Sequence, residues 1–272
     1  MSAIDIEDLL ILAKTYPYPS SRHRETTCVA AMNRDGALRR VFPVPFRLLE
    51  GEQQFQKWEW IRAQVKLPGN DRRPESRRVD IDTILRLNER VGTERGWEAR
   101  KRLVEPHILD NFDTLEQRRQ TTGETLGFYR PSRLLGLDVT AVRETEWTKA
   151  EVLKLLQEGL FDSEEVKSRP PLEKLGHDFH YRYECILPDG TVKEHRHKII
   201  DWEAGQLYRR CRREYNHDWE LAFRKKYETE FATKDLIFMM GTIHRFPDQW
   251  LIIGVLYPPM PSPLPPQLLL EI

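Results

Sequence analysis

Apolar residues in this chain fall in short runs separated by strongly polar segments. The two densest runs lie late, from Leu236 to Thr242 and from Trp250 to Tyr257, on either side of the polar segment Ile243 to Gln249. Runs of this length, rich in β-branched and aromatic residues, predict strands covered on both faces. Joined through the polar segment they form a hairpin at the centre of the fold. Gly241 and Gly254 are expected where a neighbour approaches closely.

Upstream the pattern is again extended. Leu9 to Tyr16 predicts a first strand. Thr26–Met32 and Leu38–Phe42 predict a hairpin around the turn sequence Asn33-Arg34-Asp35-Gly36. A short helix is expected over Leu48–Lys57. The next strand alternates, with Ile61, Ala63, Val65 and Leu67 on one face and Trp58, Trp60, Arg62 and Gln64 on the other. This makes residues 1–70 a β-rich, barrel-like module.

Residues 71–160 read as a middle region of helices and strand. Ile81, Ile84, Leu85, Asn88 and Val91 are spaced for one helical face, and a second set runs through Trp97 and Val104. Leu135, Leu137, Val139 and Ala141 alternate as a strand. Thr148 with Glu151 three residues on predicts a helix start running to Glu158. The polar stretch Phe161–Gly176, with Pro170-Pro171, is the best linker in the chain, and its weakness leaves one continuous domain as the alternative.

Residues 177–259 then form a C-terminal α+β core. Phe179–Leu187 and Thr191–Ile200 flank Pro188-Asp189-Gly190. Proline has no N–H to give, so a three-residue loop with a left-handed Gly190 is expected. That loop sets Phe179 opposite Ile199 and Ile186 opposite Val192, and it puts Tyr181, Tyr183, Cys185, His195 and His197 on one face. Asp201 caps a helix whose apolar side is Ala204, Leu207, Tyr208, Cys211 and Tyr215. Trp219, Phe223, Tyr227 and Phe231 recur every four residues on a second helix. Residues 260–272 are a Pro-rich tail. The fold class is α+β.

Composition narrows the partners. Mean hydropathy is −0.63, and 43 basic residues balance 43 acidic ones, so no global field draws the chain to nucleic acid or membrane and any basic surface is local. No apolar run of membrane-spanning length and no secretory leader pattern is present, so neither insertion nor secretion is expected. Three widely spaced cysteines, Cys28, Cys185 and Cys211, fit reduced thiols in a cytoplasm.

Local basic features are Arg72, Arg73, Arg77 and Arg78 in a loop and Arg209, Arg212 and Arg213 on a helix. Guanidinium forks grip phosphates, and Trp58 and Trp60 beside Arg62 are placed to stack bases. The plain alternative is a solvated helix face and an ordinary loop. Cys185, His195 and His197 on one strand face form the sharpest metal set, for zinc, although no CxxC or HExxH spacing supports it. Asp80 with Asp82, and Glu228 with Glu230, read as cap or solvent carboxylates. A nuclease would have only Glu184 and Glu194 with Lys193 or Lys198 to work with.

Three phrases carry a family resemblance: Arg40-Val41-Phe42-Pro43-Val44-Pro45-Phe46-Arg47; Arg73-Pro74-Glu75-Ser76; and Gly241-Thr242 with Ile252-Ile253-Gly254 and Tyr257-Pro258-Pro259. Together the chain resembles an uncharacterised bacterial protein family of similar length. The resemblance implies a bacterial cytoplasmic protein and assigns no activity. The expectation from the residues is a cytoplasmic, non-catalytic protein associated with DNA or RNA or with a protein partner through the Pro-rich tail. The alternative is a metal-dependent hydrolase such as a nuclease.

Overall fold

The computed structural model describes residues 4–109, 111–157, 163–244 and 246–261. Its first sheet is built from β1 (Asp5–Lys14), β2 (Tyr18–Ser20), β3 (Arg24–Asn33), β4 (Leu38–Val44), β5 (Glu59–Lys66), β6 (Ser76–Val79) and β7 (Leu85–Arg90). β1 pairs with β3, β3 with β4, β4 in parallel with β6, β6 with β5, and β5 back with β1. Five of these strands, β1, β3, β4, β5 and β6, therefore close on themselves. Numbered along the chain, their order is first, second, third, fifth, fourth, with third and fifth parallel, which is the topology of an OB barrel. Leu9, Ile11, Val29, Val41, Ile61 and Val65 fill its interior.

The barrel-like module of the sequence reading is present and extends beyond residue 70. Gly36 has φ of +83° in the turn of the β3–β4 hairpin, as its sequence demands. Two expectations are corrected. No α-helix spans Leu48–Lys57; two short 3₁₀ turns, Phe46–Leu48 and Gly51–Gln53, carry Leu49 and Phe55 into the barrel core as a plug. Ile81 to Val91 is not helical either. The Ile81–Ile84 spacing is one 3₁₀ turn, Ile81–Thr83, and the rest extends as β7 because β5 offers it a free edge. Tertiary pairing overrides local periodicity here.

The chain continues through α1 (Glu94–Val104), β8 (Ile108–Leu109), α2 (Phe112–Thr122), β9 (Leu126–Tyr129), β10 (Arg133–Ala141), α3 (Lys149–Leu155) and α4 (Glu164–Ser168). The stretch 71–160 is thus shared between the two sheets. Thr148 and Glu151 form the expected capping box. The sequence pattern missed α2. Its cap and stop are ordinary, with Asn111 accepting from Thr114 N and a left-handed Gly123, but Leu115 is its one buried residue and leaves no apolar period. Of the stretch taken as a linker, residues 163–176 are described and are tied to the barrel: Val166 and Leu172 are buried, and Arg169 donates to the Leu49 carbonyl at 2.8 Å.

The second sheet adds β11 (His177–Ile186), β12 (Val192–Ile199), β13 (Ile237–Ile243) and β14 (Phe246–Leu256), in the order β10-β11-β12-β14-β13-β9-β8. Gly190 has φ of +82°, and the β11–β12 register pairs Phe179 with Ile199 and Ile186 with Val192, as expected. The hairpin β13–β14 lies inside this sheet and is covered on both faces. Phe238, Ile252 and Val255 face a helical layer, α5 (Trp202–Tyr215) and α6 (Trp219–Arg224) with its continuation to Thr233. Ile237, Met239, Ile253 and Leu256 face the outer surface of the barrel, against Leu10, Leu12, Ala30 and Met32. A Cβ on Gly254 would lie 2.9 Å from the Ala13 Cβ, so the glycine is what lets sheet and barrel meet so closely. Among the described residues no helix is long and apolar enough to cross a membrane. Residues 262–272 of the Pro-rich tail lie outside the described residues.

Candidate nucleic-acid interface

Asp201 Oδ1 accepts from Glu203 N at 3.1 Å and opens α5. Along it Ala204, Tyr208 and Cys211 are buried, while Arg210, Arg212 and Arg213 are exposed. Asn216, at φ +47°, breaks the helix and turns the chain. Trp219, Phe223, Tyr227 and Phe231 are then buried on the sheet as a ladder, with ring centroids 4.8 and 4.9 Å apart along its last three rungs. This anchoring turns the polar sides of both helices toward one groove of about 1390 Å³.

Six basic side chains line that groove: Arg209, Arg210, Arg213, Arg224, Lys225 and Lys226, against the acids Glu203, Glu214, Asp218 and Glu230. Arg209 is paired with Glu173 at 2.7 Å, Arg224 with Glu220 and Glu228, and Lys226 with Glu230. Arg213 has only a loose contact with Glu214 at 4.0 Å, and Arg210 and Lys225 have no ion pair among the described residues. The groove therefore holds cations without a close carboxylate alongside ion-paired ones. Leu221 and Tyr215, 74% and 52% exposed, give it an apolar edge. Lys225–Glu230 winds as a π-helix, a rare geometry that recurs at functional sites. The helix period in the sequence identified Arg209 and Arg213. It missed Arg210 and the run Arg224-Lys225-Lys226, whose signal was its position away from the aromatic ladder.

The other basic residues go elsewhere. Arg212 lies on the far side, its guanidinium 5.8 Å from the Trp219 ring centre. In the loop, Arg73 is clamped by Asp71 at 2.6 Å, and Arg77 by Glu7 at 3.2 Å; Arg72 is exposed. Burial works against the Asp71 charge, but hydrogen bonds from Arg73 and Ser76 hold its pKa down to about 2. Arg78 lines a separate pocket on the barrel. The expectation that Trp58 and Trp60 stack bases is corrected. They are 2% and 8% exposed, because the outer barrel face on which they lie is packed into the fold. Arg100 covers the Trp58 ring at 4.8 Å and Arg34 covers the Trp60 ring at 3.7 Å.

The phrases that carry the family resemblance meet at the seam between barrel and sheet. Arg40 Nη2 donates to Thr125 Oγ1 at 2.9 Å and stands 3.6 Å from Glu75 Oε1, which accepts from Thr125 N at 3.0 Å. Arg73 reaches the Thr242 carbonyl at 3.3 Å. Arg40, Glu75, Ser76 and Thr242 are all buried, so these phrases fasten the two sheets together.

Cys185, His195 and His197 share a face, as the register requires, but the metal reading is corrected. Cys185 lies opposite Lys193, and its sulfur accepts from Phe112 N at 3.5 Å. The Phe112 ring sits 4.7 Å from each imidazole, and His197 Nδ1 meets the Tyr183 hydroxyl at 3.0 Å. The Phe112 ring thus packs against both imidazoles. No three His, Cys, Asp or Glu side chains converge as a metal site among the described residues. Burial, with His195 and His180 as like charges, lowers the His197 pKa to about 4. Three of the four residues of the nuclease set, all but Glu194, are held in ion pairs: Glu184 by Arg133, Lys193 by Asp113 and Lys198 by Asp178.

One charged cluster was invisible in the sequence. Lys57 Nζ lies 3.1 Å from Glu203 and 3.9 Å from buried Asp201, joining the barrel to the start of α5. Lys14, nearby, donates to the Phe55 carbonyl at 3.2 Å over the Phe46 ring, and burial lowers its pKa to about 8. Lys14, Lys57 and the Asp201–Glu203 pair come from three unrelated parts of the chain.

Two family models match the chain. Residues 5–106 match one described as a domain of unknown function (DUF8758), and residues 109–270 match one described as a domain of unknown function (DUF8757). No curated protein matches it.

Proposed function

The chain belongs to the family of the domain of unknown function DUF8757, and on that footing we propose that it is a non-catalytic, nucleic-acid-associated protein whose contact surface is the groove between α5 and the helix beginning at α6. The observation that carries this reading is the positive charge of Arg210 and Lys225, which have no ion pair among the described residues, with Arg213 held only loosely by Glu214, along one groove in a chain of zero net charge. Phosphate contacts of this kind position a nucleic acid without reading its sequence. Burial of the outer face of β1 and β3 against β9, β13 and β14 leaves much of the barrel's own outer surface closed to such a ligand, which favours the helical layer as its contact surface. Free thiols at Cys28, Cys185 and Cys211 fit a cytoplasmic setting. The alternative reading is a metal-dependent hydrolase, for which no group of three or more His, Cys, Asp or Glu side chains stands together among the described residues.

Fluorescence anisotropy with labelled single- and double-stranded DNA and RNA tests this. Binding at low salt should fall steeply as salt rises. The triple variant Arg210→Ala/Arg213→Ala/Lys225→Ala changes exposed side chains and should fold normally. It should flatten the salt slope by up to about three contacts' worth, at roughly one per lost phosphate contact. No binding to any of the four ligands at low salt, or an unchanged slope in the variant, refutes the proposal.

A further inference from the structure

A second concavity, of about 350 Å³, opens at one end of the barrel, away from the helical groove. Its walls come from the ends of β5 and β6, the turn that follows β6, and the loop before β3. Three features of it are unusual. Lys66 on β5 and Arg78 on β6 are direct partners in an antiparallel register, so two like charges stand side by side; such a pair weakens a sheet unless something answers it. Arg22 and His23 enter the same pocket from the loop. Arg22, Lys66 and Arg78 have no ion pair among the described residues, whereas the exposed Arg62, Arg133, Arg182 and Arg196 elsewhere each have one.

Arg22, His23 and Arg78 line this one pocket, and burial, then the charges of Arg22 and Arg78, lowers the His23 pKa. Asp80 and Asp82 line the pocket too, but neither acts on His23, and the Asp80 carboxylate is occupied in part as a cap, accepting from Asp82 N at 3.3 Å. The lining therefore offers both cations and carboxylate acceptors. Its volume is at the small end of small-molecule sites and too small for a duplex backbone to thread.

We propose that this barrel pocket binds a phosphate group, held by Arg22, Lys66 and Arg78 with His23 as a further donor, either as the free anion or as the ester of a small molecule whose hydroxyl or amino donors face Asp80 and Asp82. A guanidinium pair offers the bidentate geometry that a phosphate takes, and a dianion beside the Lys66–Arg78 pair removes its repulsion. None of these side chains except Arg78 belongs to the set expected from the sequence to contact nucleic acid. The site stands independently of the helical groove.

The test is calorimetric titration of the whole protein with inorganic phosphate, with adenosine 5′-monophosphate, and with adenosine as the uncharged control. Phosphate or the monophosphate should bind and adenosine should not. Arg78→Ala and Arg22→Ala should each weaken binding at least tenfold, while leaving oligonucleotide binding unchanged. Tighter binding of the monophosphate, lost again in Asp82→Asn, identifies the ester; equal affinities identify the free anion. A proton-detected titration of the His23 ring gives a second readout, because a bound dianion raises its pKa. Failure of both phosphates to bind at millimolar concentration, or retention of full affinity in both arginine variants, overturns the assignment.

Discussion

Ile253→Ala is the change that most directly tests how this chain is organised. Ile253 is 3% exposed and lies on the face of β14 that packs against the barrel, with its Cδ1 at 3.0 Å from where a Cβ on Gly241 would be. The substitution removes three side-chain carbons, worth about 2.4 kcal/mol at about 0.8 kcal/mol each. Gly241 and the strands around it cannot close the gap fully, and a residual cavity of about 50 Å³ adds about 1 kcal/mol. The expected loss is therefore about 3–4 kcal/mol, a large part of the roughly 5–15 kcal/mol a domain holds. Arg212→Ala is the control. Its side chain is exposed, and it should lose no more than about 1 kcal/mol of contact with Trp219. Urea unfolding followed by circular dichroism and by tryptophan fluorescence measures both. Because Ile253 joins the two sheets, barrel and sheet signals should shift together to lower urea. A loss below about 1 kcal/mol, or one matching that of Arg212→Ala, would refute the view that the β13–β14 hairpin is the centre of the fold.

Two further outcomes follow from the geometry. Gly254→Ala should cost about 1–3 kcal/mol, since both its new Cβ and the Ala13 Cβ at 2.9 Å are fixed to backbone, and Ala13→Gly should restore part of the loss in a double mutant; absence of any rescue would place the strain elsewhere. For His197 the folded pKa, about 4, lies below the unfolded 6.5, so the unfolded chain binds the proton more readily between those values. Stability from the neutral imidazole is thus full above pH 6.5 and is lost as pH falls toward 4, by at most about 3 kcal/mol. Urea midpoints at pH 7 and pH 4 should separate wild type from His197→Gln at the acid end, and parallel losses in the two proteins would contradict this.

Local signals in the chain were strong where one interaction decides the conformation. Gly36 and Gly190 mark turns that need a left-handed residue, and Pro188 cannot donate, so the register of β11 against β12 follows from the loop alone. The four-residue spacing of Trp219, Phe223, Tyr227 and Phe231 identifies a helix with one buried face, and a run such as Ile252 to Leu256 with no polar side has to be covered twice. For the same reason Cys185, His195 and His197 were placed correctly on one face.

What occupies a face is a different matter, because it depends on which distant segment packs there. Alternation in β5 puts Trp58 and Trp60 opposite Ile61 and Ala63, yet nothing local reveals that this outer barrel face is packed into the fold. Phe112, which packs against both histidines, comes from a helix with almost no apolar period of its own. Burial of Arg40 and Glu75, the Lys57–Asp201–Glu203 cluster, and the convergence of Arg22, Lys66 and Arg78 likewise join residues far apart in sequence. The sequence by itself determined the main strands and helices of the C-terminal half, their faces and the β11–β12 register, since those rest on backbone geometry and nearest neighbours, whereas β7 and α2 were not legible in it. Closure of the barrel, its docking on the second sheet and the positions of the basic pockets were decided only in three dimensions. There, long-range burial chooses which charged side chains stay in water and which must find a partner.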